Sequence, residues 1–238
     1  MSVIIITGTG TGVGKTVVTA ALAALAAADG SAVAVVKPAQ TGVLPGELGD
    51  VDLVRRLAGI EDVHELARYA DPLAPVSAAR RAGLPTLDLA TVAGTVRDLR
   101  AEGRLVLVEG AGGLLVRYDD DGSTLADLAC QLRAPVLVVT TAGLGTLNAT
   151  ALTLEAMAHR GLALAGIVVG SWPAEPDLAA RSNLADLELL AARPLAGAVP
   201  EGSGQLDTQR FRQVARASLE PALGGTFHAG RFRARHAP

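Results

Sequence analysis

The stretch Thr7-Gly8-Thr9-Gly10-Thr11-Gly12-Val13-Gly14-Lys15-Thr16 constrains this chain more than any other. The apolar run Val3 to Ile6 precedes it, and an alanine- and leucine-rich segment, Val17 to Ala28, follows. A strand, a glycine-rich turn and a helix opening on Lys-Thr form the context of a phosphate-binding loop. Backbone N–H groups in such a turn point inward, and the helix N-terminus adds positive potential, so phosphates are held with few charged side chains. Lys15 would reach the terminal phosphates, and the Thr16 hydroxyl would hold Mg²⁺. A dinucleotide-binding turn is the competing reading, but such folds lack Lys-Thr at the helix start. One spacing departs from the common G-x-x-x-x-G-K-[ST] form. Position 9 is threonine and the glycine is Gly8, so the loop is one residue longer.

Composition narrows the remaining choices. Half of the 238 residues are hydrophobic but only 3% are aromatic, so Ala, Val, Leu and Ile must build the core. A net charge of −3 gives no general attraction to nucleic acid or an anionic membrane. The single cysteine, Cys130, excludes an intrachain disulfide or a thiolate cluster, and His64, His159, His228 and His236 have no ligand spacing. The first residues lack a basic signal-peptide region, and the first apolar run is too short to span a bilayer; the expectation is a soluble, cytoplasmic protein without nucleic-acid or membrane partners. Of the 21 basic residues only two are lysine, Lys15 and Lys37. Lysine is a compact point charge with a tunable pKa, so Lys37 becomes a candidate for the same site.

Short apolar runs alternate with helical patterns along the chain. Strands are expected at Val3–Ile6, Ala32–Val36, Leu105–Val108, Pro135–Thr140, Ala165–Gly170 and Leu195–Val199. Helices are expected at Val17–Ala28, Asp50–Ala58, Leu87–Arg100, from the Ser123-Thr124 cap to Leu132, and at Ala149–His159, Leu178–Leu190 and Asp207–Leu219. Tyr69–Pro75 and Thr141–Asn148 read as loops. The alternation predicts an α/β fold: a doubly wound, mainly parallel sheet with helices on both faces, of the P-loop NTPase type. Residues 1–223 form one domain in this reading, and 224–238 a disordered tail carrying Arg231, Arg233 and Arg235.

Ligands bind outside the carboxyl ends of the strands in such sheets. Every expected strand here ends in polar or glycine-rich sequence, which gathers the loop, Lys37 and Glu109 on one rim. Mg²⁺ bound to a nucleotide needs the loop hydroxyl and nearby carboxylates. Glu109 ends a buried strand, where an unpaired carboxylate is costly; a metal or an arginine partner would relieve it. Asp50 is the second candidate acid, with Glu47 and Asp52 as competitors that spacing does not separate.

At this point the sequence resembles the dethiobiotin synthetase family. The residues carrying the likeness are Thr7-Gly8-Thr9, Val13 to Thr16, Lys37-Pro38, Thr41-Gly42, Asp50, Val108 to Gly113, Leu144 to Asn148 and Gly197 to Pro200, within a similarity from Ser2 to Leu219. The long phosphate loop is the family's own spacing. The resemblance implies a cyclo-ligase of biotin synthesis that joins 7,8-diaminononanoate and CO2 at the expense of ATP, through a carbamate and a carbamic–phosphoric anhydride. It implies Lys15, Lys37 and Thr11 as catalytic groups, and Thr16, Asp50 and Glu109 as Mg²⁺ ligands. Nucleotide contacts fall to Gly12, Val13, Gly14, Lys15, Thr16, Val17, Asp50, Glu109, Gly110, Ala111 and Gly112, with Gly170, Ser171, Val199, Pro200 and Glu201 around the base. Thr41 and the segment Gly145, Thr146, Leu147 and Asn148 would hold the substrate, the latter its carboxylate tail across a homodimer interface.

Three positions depart from the family pattern: Gly12, where some members carry glutamate, Ala149, where histidine is common, and Gly170-Ser171, which replaces an Asn-Asp pair. A partition or localisation ATPase is the rival class. Its loops carry a signature lysine five residues before the loop lysine, where this chain has Gly10. An amidotransferase-type synthetase would need a glutaminase domain with a nucleophilic cysteine, for which the chain is too short.

Overall fold

A computed structural model describes residues 3–237. Its centre is a seven-stranded parallel sheet built from β1 (Val3–Gly8), β2 (Val33–Lys37), β4 (Val63–Glu65), β6 (Leu105–Gly113), β7 (Val136–Thr140), β8 (Leu164–Trp172) and β9 (Gly197–Pro200). The spatial order is β4-β2-β6-β1-β7-β8-β9, and β3 (Gln40–Thr41) pairs with β5 (Arg68–Tyr69) in a small separate ribbon. Strand β1 lies between β6 and β7, the position where the winding direction reverses and where ligands bind in doubly wound sheets.

Alternation along each strand divides the core into two layers. Ile5, Val106, Val108, Val136 and Val138 face one side, while Ile4, Ile6, Leu107, Leu137 and Val139 face the other. The second layer is covered by α1 (Lys15–Ala28), α2 (Asp50–Ala58) and α8 (Thr208–Ser218), which contact one another. The first is covered by α3 (Pro75–Ala82), α4 (Leu89–Ala101), α5 (Leu125–Leu132), α6 (Thr146–Ala158) and α7 (Leu178–Ala191). Helix α1 is fully buried from Val18 to Leu25, and its alanines let it lie close to the sheet. Helix α5 starts on the expected cap: Thr124 and Asp127 close a capping box, with the Thr124 N–H donating to Asp127 Oδ2 at 2.8 Å.

The short strands β3, β4 and β5 fall on no expected run, and four further differences from expectation have a local cause. Residues 75–82 form helix α3, although Pro75 reads as loop punctuation; proline at the first helical position is a start signal, and Gly83 (φ 65°) closes the other end. Helix α6 begins at Thr146, so the expected loop through Asn148 is partly the first turn of a helix set by Gly145 (φ 88°). Strand β6 runs on through the glycines to Gly113, which pairs with Gly8 after a register shift. The tail expected to be disordered forms α9 (Ala229–His236). Trp172 at the end of β8 is the reason. Phe232 and His236 pack edge-on against its ring at 5.0 Å each, Phe227 packs on Phe232 at 5.2 Å, and Arg233 pairs with Glu188 of α7.

Trp172 is the single tryptophan of the chain and only 6% exposed. A variant ending at His228 should therefore show red-shifted tryptophan emission and greater acrylamide quenching. Emission unchanged from the full chain would mean that α9 does not cover this ring.

Candidate active site

The loop between β1 and α1 folds back over its own lysine. A Cβ at Gly8 would lie 2.7 Å from Val13 Cγ2 and 3.1 Å from Lys15 Nζ, so the first glycine is needed for the loop to close. At the other end Gly14 (φ 94°) rests on the end of β8: a Cβ there would lie 2.4 Å from the Gly170 carbonyl oxygen, and one at Gly170 would lie 2.1 Å from the Val13 carbonyl oxygen. The close seat of the loop on β8 gives Gly170 its steric reason. Helix α1 has no side-chain N-cap, which leaves its first N–H groups free for an anion. Lys15 donates to the Gly10 carbonyl at 2.8 Å, inside the loop.

Opposite the loop stands a buried cluster of charge. Lys37 ends β2 at 4% exposure and Glu109 lies in β6 at 1%. The Lys37 ammonium is 2.8 Å from Glu109 Oε1 and 2.6 Å from Asp50 Oδ2. The same Glu109 oxygen accepts the Thr16 hydroxyl at 2.8 Å. A lysine, rather than an arginine, is the side chain that pairs with Glu109 here. Of the three candidate acids only Asp50 pairs with Lys37: Asp52 caps α2 through the Gly49 N–H and pairs with Arg55, and Glu47 accepts the Leu44 N–H.

Two residues without a sequence signal support this cluster. Gln40, 5% exposed, accepts the Asp50 N–H at 2.9 Å and so fixes the start of α2. Tyr118, fully buried, fixes the glycine stretch: its hydroxyl accepts the Ala111 N–H at 2.8 Å. Neither lies in a recognisable motif; only their position beside Thr41 and the Glu109 segment could have drawn notice.

These groups line a cleft of about 770 Å³. Its lining comes from Thr11, Gly12, Gly14 and Lys15 to Val17 of the loop and α1, from Thr41 and Pro72 to Pro75, and from Lys37, Asp50, Glu109, Ala111 and Gly112. Val13 is buried beneath the loop, and Gly110 offers its carbonyl to Lys37 at 3.3 Å. Gly170 and Ser171 reach the rim through the contact with Gly14. Val199, Pro200 and Glu201 lie beside them: Pro200 pairs with Trp172, and the Glu201 N–H donates to the Trp172 carbonyl at 2.8 Å. Gly145, Thr146, Leu147 and Asn148 stand outside this cleft. Asn148 is exposed, whereas the Thr146 hydroxyl is buried and donates to the Thr141 carbonyl at 2.7 Å, which leaves its backbone as the group it can offer.

The donor set suits a hard divalent cation. A hydroxyl and two carboxylates, brought together around the Lys37 ammonium, are oxygen ligands of the type Mg²⁺ takes beside phosphates. Among the described residues no cluster of three or more His, Cys, Asp or Glu offers a different metal site.

The two lysines are tuned in opposite directions. Burial and the nearby Lys37 charge lower Lys15 to about 8. Burial also opposes the charge on Lys37, but Glu109 and Asp50 outweigh it and hold this ammonium well above the usual lysine range. For Lys15 the folded chain binds fewer protons than the unfolded one between about 8 and 10.5, so this group makes stability rise with pH across that window. Lys37 does the reverse, its contribution fading only above 10.5.

Loop, sheet topology and paired acids define a phosphate-loop NTPase. Comparison with known proteins agrees: a family model described as an AAA domain matches residues 2–207. The fold is similar to that in the MinC:MinD cell division complex of Aquifex aeolicus (TM-score 0.58, 14% identity, covering 100% of this chain and 98% of that one). It is also similar to the cell division ATPase MinD of Pyrococcus furiosus (TM-score 0.56, 20% identity, 94% and 97% covered). At these identities the likeness is one of fold alone. In sequence the chain is 80% identical over 237 residues to the ATP-dependent dethiobiotin synthetase of Parafrankia sp., with 100% of both chains covered. It is 58% identical over 238 residues to that of Streptomyces coelicolor, again with 100% of both covered. The chain belongs to the ATP-dependent dethiobiotin synthetase family.

A small acylating reagent with peptide mass spectrometry can separate the two amines. Lys15 should reach half-maximal labelling near pH 8, while Lys37 stays protected until well above 10.5. Equal labelling of both at pH 8 would contradict the opposed tuning.

Proposed function

We propose that the chain closes 7,8-diaminononanoate and CO2 into dethiobiotin, a cyclic urea, at the expense of ATP. The observation that carries the reading is the Lys37 ammonium, buried between Asp50 and Glu109 and lining the cleft shared by the phosphate loop and Thr41. Membership of the synthetase family supplies the substrates.

One substrate amine attacks CO2 and loses a proton, giving a carbamate. A carbamate oxygen then attacks the γ-phosphorus, ADP leaves, and a carbamic–phosphoric anhydride forms. The second amine attacks the carbamoyl carbon, phosphate leaves, and the ring closes. Phosphoryl transfer asks the protein mainly for positioning and charge neutralisation. Lys15 and the loop N–H groups hold the β- and γ-phosphates, and Lys37 turns toward the carbamate and the transferring phosphoryl group. Thr11 and Thr41 orient the carbamate and the amine by hydrogen bonds. Thr16, Asp50 and Glu109 would hold Mg²⁺, which would supply positive charge against that of the phosphates. Gly170, Ser171 and Val199 to Glu201 border the base.

The substrate's carboxylate tail falls to Gly145 to Asn148 of a second protomer. The position of this segment outside the cleft supports a site completed across a homodimer interface, as do Leu144 and Leu152, 89% and 58% exposed on the same part of the chain. A cytoplasmic location goes with these substrates; among the described residues no helix is long and apolar enough to cross a membrane.

Diaminononanoate with bicarbonate should stimulate phosphate release from ATP and yield a cyclic urea detectable by mass spectrometry. Hydrolysis indifferent to the diamine, with no such product, would sink the synthetase reading. Lys37→Arg should lose about 100-fold or more in kcat, because a planar fork cannot replace a point charge fitted between two carboxylates. Near-wild-type turnover in that variant would remove Lys37 from the chemistry.

A further inference from the structure

Four threonine hydroxyls meet beneath the phosphate loop, and neither the loop motif nor the charge cluster uses them. Thr140, at the carboxyl end of β7, is the hub. Its Oγ1 lies 3.2 Å from Thr9 Oγ1, 2.7 Å from Thr146 Oγ1 and 2.9 Å from Thr150 Oγ1. Thr140 and Thr150 are 0% exposed and Thr146 is 1% exposed.

Donor counting fixes every proton in the cluster. A hydroxyl has one hydrogen to give and two lone pairs with which to accept. Thr146 spends its hydrogen on the Thr141 carbonyl, which can only accept. Thr140 must therefore donate to Thr146, and Thr9 and Thr150 must both donate to Thr140. The hub is then saturated, and a one-way chain runs from Thr9 through Thr140 and Thr146 to the Thr141 carbonyl. Hydrogen bonds aligned in this way polarise one another, and in a dry interior none can be lost without leaving a buried group unpaired.

The two ends of the chain sit in two different places. Thr9 belongs to the phosphate loop, where its N–H is also tied to the Val139 carbonyl at 2.9 Å. Thr146 opens α6 and lies within the segment 145–148. From this geometry we infer that Thr140 is a positioning residue linking the set of the phosphate loop to the set of the first turn of α6. Occupancy of the loop by nucleotide and of segment 145–148 by substrate thereby strengthen each other. The inference rests on the reading of that segment as the holder of the diamine's carboxylate tail. Where the tail belongs to a neighbouring protomer's substrate, the link runs from the loop of one subunit to the diamine of the other.

Isothermal titration of diaminononanoate, with and without a non-hydrolysable ATP analogue and Mg²⁺, tests it. The wild-type chain should bind the diamine about five-fold or more tightly when nucleotide is present. Thr140→Val keeps the shape but removes the hub; its coupling should fall below about two-fold, while each ligand alone binds nearly as before. Thr140→Ser should restore the wild-type coupling. Should Thr140→Val fail to fold, Thr140→Ala removes the same hub with fewer atoms and carries the same expectation. Coupling retained in Thr140→Val or Thr140→Ala, or absent from the wild type, overturns the inference alone. A wild-type chain that binds nucleotide but never the diamine overturns the synthetase reading and this inference together.

Discussion

A carboxylate that solvent cannot reach organises this molecule. Glu109 is 1% exposed, and a bare charge there would carry a desolvation penalty of several kcal/mol. The Lys37 ammonium, shared with Asp50, is what makes it tolerable. Each member of the trio comes from a different element: the end of β2, the first residue of α2 and the middle of β6. Their meeting therefore requires β2 beside β6 and α2 swung over the strand ends, with Gln40 fixing that helix start. Thr16 joins the same Glu109 oxygen from α1. Sheet order, helix placement and phosphate loop are thus tied to one buried charge.

The balance at that charge also explains the use of lysine. A guanidinium is a wide, flat fork suited to bidentate pairing at more open sites, and this chain uses 19 of them among its 21 basic residues. Between Asp50 and Glu109, with the Gly110 carbonyl as a third partner, the need is for a compact charge with three donors. Lys15 is the complement: burial and the Lys37 charge weaken its hold on its own proton, so an incoming polyphosphate meets an ammonium that gains from its arrival.

Much of this was legible in the sequence, and the reasons differ by element. Six of the seven parallel strands were readable as short apolar runs that lead into polar or glycine-rich sequence, whereas β4, Val63-His64-Glu65, carries no such run. The loop was readable because its glycines serve backbone approaches that no side chain permits, as Gly8 and Gly14 do here. Lys37 stood out because lysine is scarce. The partner of Glu109 was not readable, since pairing across 72 residues depends on strand order rather than spacing. Helix α3 and the start of α6 were missed because proline and glycine mark both loops and helix ends. Helix α9 was missed because its order comes from Trp172, more than fifty positions earlier, and not from any pattern of its own. The threonine hub was invisible for the same reason: threonine at a strand end is ordinary until the fold brings four together.

Sharing a fold with cell division ATPases leaves open how the same loop is put to a different use, and the loop itself carries part of the answer. The rival class places a second lysine five residues before the loop lysine; here that position is Gly10, and its backbone carbonyl accepts the Lys15 ammonium. The loop's cation is thus managed within the chain. The second cation of the cleft comes from β2 instead, and it shares the cleft lining with Thr41 and Pro72 to Pro75. At 4% exposure that charge acts on what the cleft encloses, and that is the requirement of a synthesis rather than of a switch.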